Sequence, residues 1–494
     1  MKTWKRRIVV VLLVMAMSLT GCATEWNHGI IVIHENTGGT TQEVSEWTNP
    51  AEETTFSQED KTELWVMYGT DSRTGFPPPK FWEHMVEQFS EEYPDVKVRL
   101  ERVPEDEAEL QLLRTEIMED MGPDVFLMCR NSTLIPDPYQ AMRNGLFMDI
   151  SEYYDEDAGM KKDELNETIM DAGIYGGCRY VIPYSYDFPV AYVDTAQFEA
   201  LGGRMDMFDG GIMKLYEDLF ATGNQKLIWG ASIGTPSQRF HSFNYLPDMV
   251  DYENQAVLVT AEDIAQFLRA VQTARAEQPF DLEDLPYPSP NYLKTPKLDG
   301  IRMDKKSWRD YIGMYIGVMS EHVINVGFTK MSGIEIQAVP VAAADGDLVA
   351  DVLFYGAVGA GCKEPELAYA FLQTVSTFLR NESAYSPNGM MSIGWPVRMV
   401  GSAENIANHS ESVYAFGEFW FAFPGSEKPV ITNDDIPFLY EKIDRVQFYT
   451  APESELSDII DTLNDPNTGE ELPVDINAVA VDFIEELEWH LYEG

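Results

Sequence analysis

Positive charge is scarce in this chain. Its 494 residues hold 35 Lys and Arg against 82 Asp and Glu, a formal net charge of −47. Such a polyanion repels phosphate backbones, so no nucleic-acid partner is expected. The acidity makes a solvated, self-repelling surface instead. Cysteine is also scarce: Cys22, Cys129, Cys178 and Cys362 are all there is, in no zinc-ligand spacing. With Cys22 set aside the other three could close one disulfide at most, and they read as buried small hydrophobes. The seven His include no HExxH or other close ligand pair, so no metal site is expected. GxGxxG and the P-loop pattern are both missing, which leaves no nucleotide cofactor and no ATPase activity of the chain's own. No cofactor of any kind is implied. After Met17 no apolar run reaches the length of a membrane-spanning helix.

The N-terminus carries a clear pattern. Lys2, Lys5, Arg6 and Arg7 precede the apolar run Ile8 to Met17, the charged and apolar parts of an export signal. Leu19-Thr20-Gly21-Cys22 closes it and resembles the lipobox of bacterial lipoproteins. The resemblance implies that residues 1–21 are a signal peptide and that Cys22 takes a diacylglyceryl thioether. The rest of the chain would then stand lipid-anchored on the extracytoplasmic face of the cell membrane. Residues 22–62 are rich in Thr, Glu, Asn and Ser and cannot bury enough apolar surface to offset their ordering entropy. They read as a flexible tether, spanning roughly 35 Å r.m.s. for about 40 residues.

Periodicity starts at residue 63. Glu63 to Tyr68 reads as a buried strand, and Pro77 to Pro79 can open a helix striped by Phe81, Trp82, Met85, Val86 and Phe89. Val96 to Leu100 alternates as a strand does. Glu105 to Met121 predicts a second helix with Leu110, Leu113, Ile117 and Met118 on one side, and Asp124 to Met128 a third strand. This βαβαβ order predicts an α/β fold with a parallel sheet and right-handed crossovers. Ligands of such sheets bind beyond the carboxyl ends of the strands, where residues 69–77 and 129–136 form the loops. Two further segments look like passages between domains. One is Tyr180 to Val193, whose Pro183 and Pro189 suit an edge or crossing better than a sheet centre. The other is Ile334 to Gly359. Helices are predicted after Lys363 and at the C-terminal end, the latter striped by Ile476, Val479, Phe483, Ile484 and Leu487.

In order, these landmarks resemble the extracellular solute-binding lipoproteins of ATP-driven importers, in particular the carbohydrate-binding group that includes the maltose-binding protein. The matching pieces are the lipobox, Glu63 to Tyr68, Phe89 to Val98, Leu113 to Met118, Gly122 to Leu127, Ile182 to Asp187, Gly313 to Gly317 and Lys363 to Leu372. The resemblance implies a two-lobed periplasmic-binding-protein-like fold of type II. Lobe I would be residues 63–183 plus 328–385, and lobe II residues 187–327 plus 386–494. It further implies a monomer that closes on a saccharide, an oligosaccharide by preference, and docks on the permease subunits of an ABC importer with a separate ATPase. No enzymatic activity is implied.

Aromatic planes cover sugar ring faces, while carboxylates, amides and guanidinium groups bond the hydroxyl rims. On the strand-end edge Asp71 and Arg73 form one candidate cluster, with Ser72 between them, and Arg130 and Asn131 another. The resemblance favours the second. In the first crossing the candidates are Tyr184, Tyr186 and Asp187; alternation puts the two tyrosines on one face and Asp187 on the other. Tyr355 lies in the second crossing block, and Trp395, in a Gly-Pro loop, is a candidate stacking platform. Trp65 and Trp82 fall on core stripes and read as packing.

Other readings keep part of this picture. A surface adhesin or sensor could use the two-lobed fold without transport, and a polyamine, peptide or metal complex could replace the sugar. A secreted glycosidase needs two carboxylates about 5 to 9.5 Å apart, and nothing nominates a pair. Gly230-Ala-Ser-Ile-Gly234 matches Gly-x-Ser-x-Gly, but Thr235-Pro236 prevents the helix that a nucleophile elbow requires.

Overall fold

The computed structural model describes residues 62–70, 79–130, 132–231, 246, 248–276, 313–319, 335–381, 395–397, 442–448, 450–464 and 471–493. The expectations resting on Cys22, the tether, Asp71, Arg73 and Asn131 lie outside the described residues. No helix among the described residues is long and apolar enough to cross a membrane.

The βαβαβ unit forms from β1 (Thr62–Tyr68), α1 (Pro79–Glu92), β2 (Val96–Arg102), α2 (Glu107–Met118) and β3 (Val125–Cys129). β1 pairs in parallel with both β2 and β3. The α1 stripe is real: Phe81, Trp82, Met85 and Phe89 recur at helical spacing and are buried. Helix α2 is capped by the Asp106 carboxylate, which accepts from the backbone N–H groups of Ala108 and Glu109. It stops three residues early, where Asp120 takes a left-handed conformation (φ 57°). Met118, expected on its apolar side, is therefore exposed on the last turn.

The chain continues through α3 (Pro138–Arg143), α4 (Ser151–Glu156), α5 (Glu167–Asp171), the hairpin β4 (Ile174–Tyr175) and β5 (Cys178–Arg179), and β6 (Val181–Asp187). Next come β7 (Pro189–Asp194), α6 (Thr195–Ala200), α7 (Gly211–Thr222), α8 (Gln225–Gly230), the hairpin β8 (Val250–Asp251) and β9 (Ala256–Val257), α9 (Ala261–Ala276) and β10 (Met314–Val318). The last described elements are β11 (Ile336–Pro340), β12 (Val349–Val358), α10 (Pro365–Asn381), β13 (Trp395–Pro396), β14 (Arg445–Phe448), α11 (Ala451–Asp461) and α12 (Ile476–Glu493).

Two sheets define two lobes. The first runs β13-β6-β12-β3-β1-β2, with β14 paired to the other end of β12; the second is the antiparallel sheet β10-β7-β11. One face of the first sheet packs on α1 and α10, bringing Trp82, Phe89, Phe371 and Val375 against Leu64, Val66 and Leu127. Its other face packs on α2 and α3, with Leu110, Leu113 and Met142 against Met67, Phe126 and Met128. The second lobe has its own core, built from α7, α9, α11 and α12 around Ala191, Val193 and Ile316.

Among the described residues the chain crosses between lobes at Phe188 between β6 and β7, through residues 341–348 between β11 and β12, and between β14 and α11. The third crossing leaves no mark in the sequence, because β14 is only Arg-Val-Gln-Phe, too short and polar to show a period. The lobe boundaries drawn from the sequence differ from the pairing seen here. β13 and β14 belong to the first sheet, whereas β11, drawn into the first lobe, pairs with β7 in the second. The prolines also sit differently. β6 is an interior strand, and Pro183 is accommodated where the β6–β12 register shifts and beyond the two residues that β13 pairs. Pro189 is the first residue of β7, where a missing N–H costs least.

Of the three cysteines, Cys129 and Cys362 are buried and in no disulfide among the described residues, as small hydrophobes would be. Burial pushes the Cys362 thiol up to about 12. Cys178 departs from the expectation: it is only half-buried, on the β4–β5 hairpin. A hydrogen bond to the Asp149 carboxylate raises its thiol above the ordinary value.

Candidate ligand site at the lobe crossings

The carboxyl ends of β3 and β6 and the amino-terminal half of β12 meet at one edge of the first sheet, facing the crossings. Arg130 follows β3 directly. Its backbone N–H donates to the Leu353 carbonyl at 2.8 Å, and the residue is 9% exposed. A turn follows, in which the Ser132 hydroxyl accepts from the Ile135 N–H. Asp137 then caps α3, taking the Gln140 N–H at 3.0 Å.

On β6, Tyr184 and Tyr186 share a face, as alternation predicted, and that face is the α1–α10 core. Tyr184 donates its hydroxyl to the Leu372 carbonyl at 2.9 Å, and burial raises its phenol well above the ordinary range. Tyr186 stacks on Phe188, with centroids 6.3 Å apart and planes 13° apart. Both rings are committed to packing. Asp187 points the other way along the strand; it is 2% exposed, and its Oδ1 accepts the Phe188 N–H at 3.1 Å.

Tyr355 is also placed away from a ligand surface. It is 1% exposed in the core under α2 and α3, edge-on to Phe448 at 5.2 Å. Its buried hydroxyl has no hydrogen-bond partner among the described residues, and burial raises its pKa. Trp395 begins β13, its backbone in register with Tyr186.

Sequence reasoning missed the polar network that surrounds these strand ends. Asp351, the register partner of Asp187, accepts the Gln447 amide N–H at 2.9 Å. The same Gln447 nitrogen donates to Glu453 Oε1 at 3.1 Å, and Glu453 Oε2 accepts from both the N–H and the hydroxyl of Thr450. Burial, and then the neighbouring Asp351 charge, push the Glu453 carboxyl well above the usual range. Tyr139 stacks on Tyr252 at 4.8 Å, and its hydroxyl accepts the Phe448 N–H at 3.2 Å. Only Asp137-Pro138 carried a local signal, that of a helix start. Asp351, Gln447 and Glu453 come from distant parts of the chain and had none.

A groove of about 350 Å³ lies elsewhere, between β2 and α2, lined by Trp65, Met67, Arg99, Leu112 and Leu113. It is a surface furrow beside the sheet edge, with Arg99 stacked over Trp65 at 4.2 Å. Among the described residues no group of three or more His, Cys, Asp and Glu side chains is placed to hold a metal ion. Residues 225–230 ahead of the Gly-x-Ser-x-Gly match form a helix, so the strand that a nucleophile elbow needs is not there.

Residues 75–221 match the model for the bacterial extracellular solute-binding proteins. Among solved structures, the galacto-N-biose/lacto-N-biose I-binding protein of an ABC transporter from Bifidobacterium longum, in complex with lacto-N-biose, is similar with a TM-score of 0.52 at 14% identity, over 88% of this chain and 99% of that one. The fold is that of a solute-binding protein. A substrate-binding protein from Listeria monocytogenes in complex with cycloalternan is similar with a TM-score of 0.48 at 15% identity, over 86% of this chain and 99% of that one. No curated protein matches the chain. The family match begins just ahead of α1 and ends in α7. It spans the βαβαβ unit from α1 onward and the first crossing of the solute-binding fold, a stretch that carried much of the resemblance read from the sequence.

Proposed function

We propose that this chain is the extracytoplasmic solute-binding component of an ATP-driven importer. It captures a saccharide between its lobes and hands it to a permease powered by a separate ATPase. The observation that carries this reading is the set of crossings described between two independently cored lobes, with polar side chains gathered where the strands end. Such a hinge lets lobes close on a ligand through bonds made only in the closed state. The lacto-N-biose of the Bifidobacterium protein supports a saccharide as the cargo. Binding is the whole of the mechanism, with no chemical step.

The proposed ligand contacts are Asp71, Arg73, Arg130, Asn131, Asp187 and Trp395. Tyr184, Tyr186 and Tyr355 are left out because they are packed in the cores. Trp395→Ala should weaken saccharide binding by about tenfold or more, the scale of a lost aromatic contact. Cys22 is proposed as the lipid anchor; in a bacterial host, labelled palmitate should enter the chain and fail to enter Cys22→Ser.

A thermal-shift screen of the chain lacking residues 1–21 tests the reading. The panel holds mono- and oligosaccharides, peptides, spermidine and divalent metals. A ligand at about 100 times its Kd adds about 2.7 kcal/mol. A concentration-dependent rise with one saccharide class, recovered unaltered, supports the proposal. A rise with spermidine alone overturns the cargo, and turnover of the sugar overturns binding as the sole mechanism.

A further inference from the structure

Helix α3 of the first lobe grips two elements of the second. The Asp137 carboxylate, almost wholly buried, takes two donors on Oδ2: the Tyr252 hydroxyl at 2.6 Å and His490 Nε2 at 2.7 Å. Tyr252 lies in the β8–β9 turn and His490 in the last turn of α12. One helical turn on from Asp137, Gln140 Nε2 donates to the His490 carbonyl at 2.7 Å, and Arg143 Nη1 donates to the Leu491 carbonyl at 3.2 Å. The β4–β5 hairpin adds bonds from the Tyr175 hydroxyl and the Gly176 N–H to Tyr252 and Glu253.

The chemistry makes these contacts more than incidental. The last four carbonyls of a helix have no partner within it. In α12 two of them are satisfied by side chains of the other lobe, one a cation placed at the negative end of the helix dipole. Separating the lobes here would uncap α12, strip two donors from a buried carboxylate and part the Tyr139–Tyr252 stack.

We propose that Asp137 and the last turn of α12 form a latch fastening the two lobes, and that lobe opening requires its release. The latch is independent of the identity of the ligand, so it stands or falls separately from the saccharide reading.

Two variants of the full chain test it without ligand. Asp137→Asn keeps a side-chain oxygen to cap α3 but presents an amide where two donors converge. Tyr252→Phe removes one hydroxyl and no packing. Hydrogen exchange followed by mass spectrometry should show residues 250–257 and 487–493 exchanging about tenfold faster or more in both, the scale of one lost hydrogen bond to a charged group. Helix α1 should be unchanged, and the radius of gyration from small-angle scattering should rise. Faster exchange confined to residues 138–143 would make Asp137 a helix cap only and overturn the latch. Unchanged exchange in the second-lobe segments, or faster exchange with an unchanged radius of gyration, overturns it as well. If Asp137→Asn loosens the whole first lobe, Tyr252→Phe decides alone by the same two readings.

Discussion

Asp187 and Asp351 are register partners on β6 and β12, two carboxylates side by side on neighbouring strands where two of the lobe crossings begin and end. Each has a donor at or beside a crossing. The Phe188 N–H bonds Asp187, and the Gln447 amide bonds Asp351. The backbone of the first crossing is thus tied directly to Asp187, while Asp351 is held by a side chain of the strand that leads into the third.

Asp187→Asn separates binding from folding. The amide retains an oxygen for the Phe188 N–H, so the thermal midpoint should stay within a few degrees. The ligand identified by thermal shift should bind about tenfold more weakly, since bonds from a hydroxyl to an ionised acceptor are roughly twice as strong as to a neutral one. Titration calorimetry measures it. Unchanged affinity removes Asp187 from the contacts.

Glu453 makes stability depend on pH. Its folded-state carboxyl is raised by burial and by Asp351, so the folded protein holds that proton more tightly than the unfolded chain does. The associated stability is fully present below the ordinary glutamate range, about pH 4.3. It is lost as pH rises from there through the raised folded-state value. Glu453→Gln cannot ionise and retains an oxygen for Thr450. The midpoint difference, variant minus wild type, should therefore grow from pH 5 to pH 8 in calorimetry. A constant difference would show that Glu453 is ionised throughout.

The sequence made the first lobe legible because its signals are local. Phe81, Trp82, Met85 and Phe89 declare a helix face within nine residues, and alternation correctly put Tyr184 and Tyr186 together. What alternation could not say is which face is core, and both tyrosines lie inside. The crossings were legible where a strand was long, as in β6 and β12, and invisible where it was β14's four residues. Contacts such as Asp137 to His490 join positions 353 residues apart and have no period to betray them.

Arg445 should behave as an electrostatic pin at the second and third crossings. Its guanidinium lies 2.8 Å from Asp248, 2.8 Å from Asp345 and 2.9 Å from Asp347, so one cation holds three carboxylates from the second lobe and the crossing loop. Arg445→Met leaves those charges facing one another. Destabilisation of roughly 1–3 kcal/mol is expected in urea unfolding, where partly buried charged hydrogen bonds fall. Because the carboxylates are half-exposed, 1 M salt should shrink the difference. A salt-independent loss would point to packing of the arginine stem instead.

Two glycines with the same φ isolate what fixes the second crossing. Gly145, after α3, has φ 71° and open space around a Cβ position. Gly211, at the start of α7, has φ 73° and ψ 175°, a region only glycine occupies readily. A Cβ there would stand 2.1 Å from the Ala343 carbonyl oxygen. The neighbouring Ile212 N–H donates to the Ala342 carbonyl at 2.9 Å, so the crossing loop is seated on the helix start and cannot move aside without losing that bond. Gly145→Ala should cost about 1 kcal/mol, the backbone term alone. Gly211→Ala should cost about 3 kcal/mol or more, with strain and steric displacement added. Chemical unfolding of both variants measures the difference. Equal costs would mean that residues 341–348 yield freely, and the second crossing would then be a soft part of the hinge rather than a seated one.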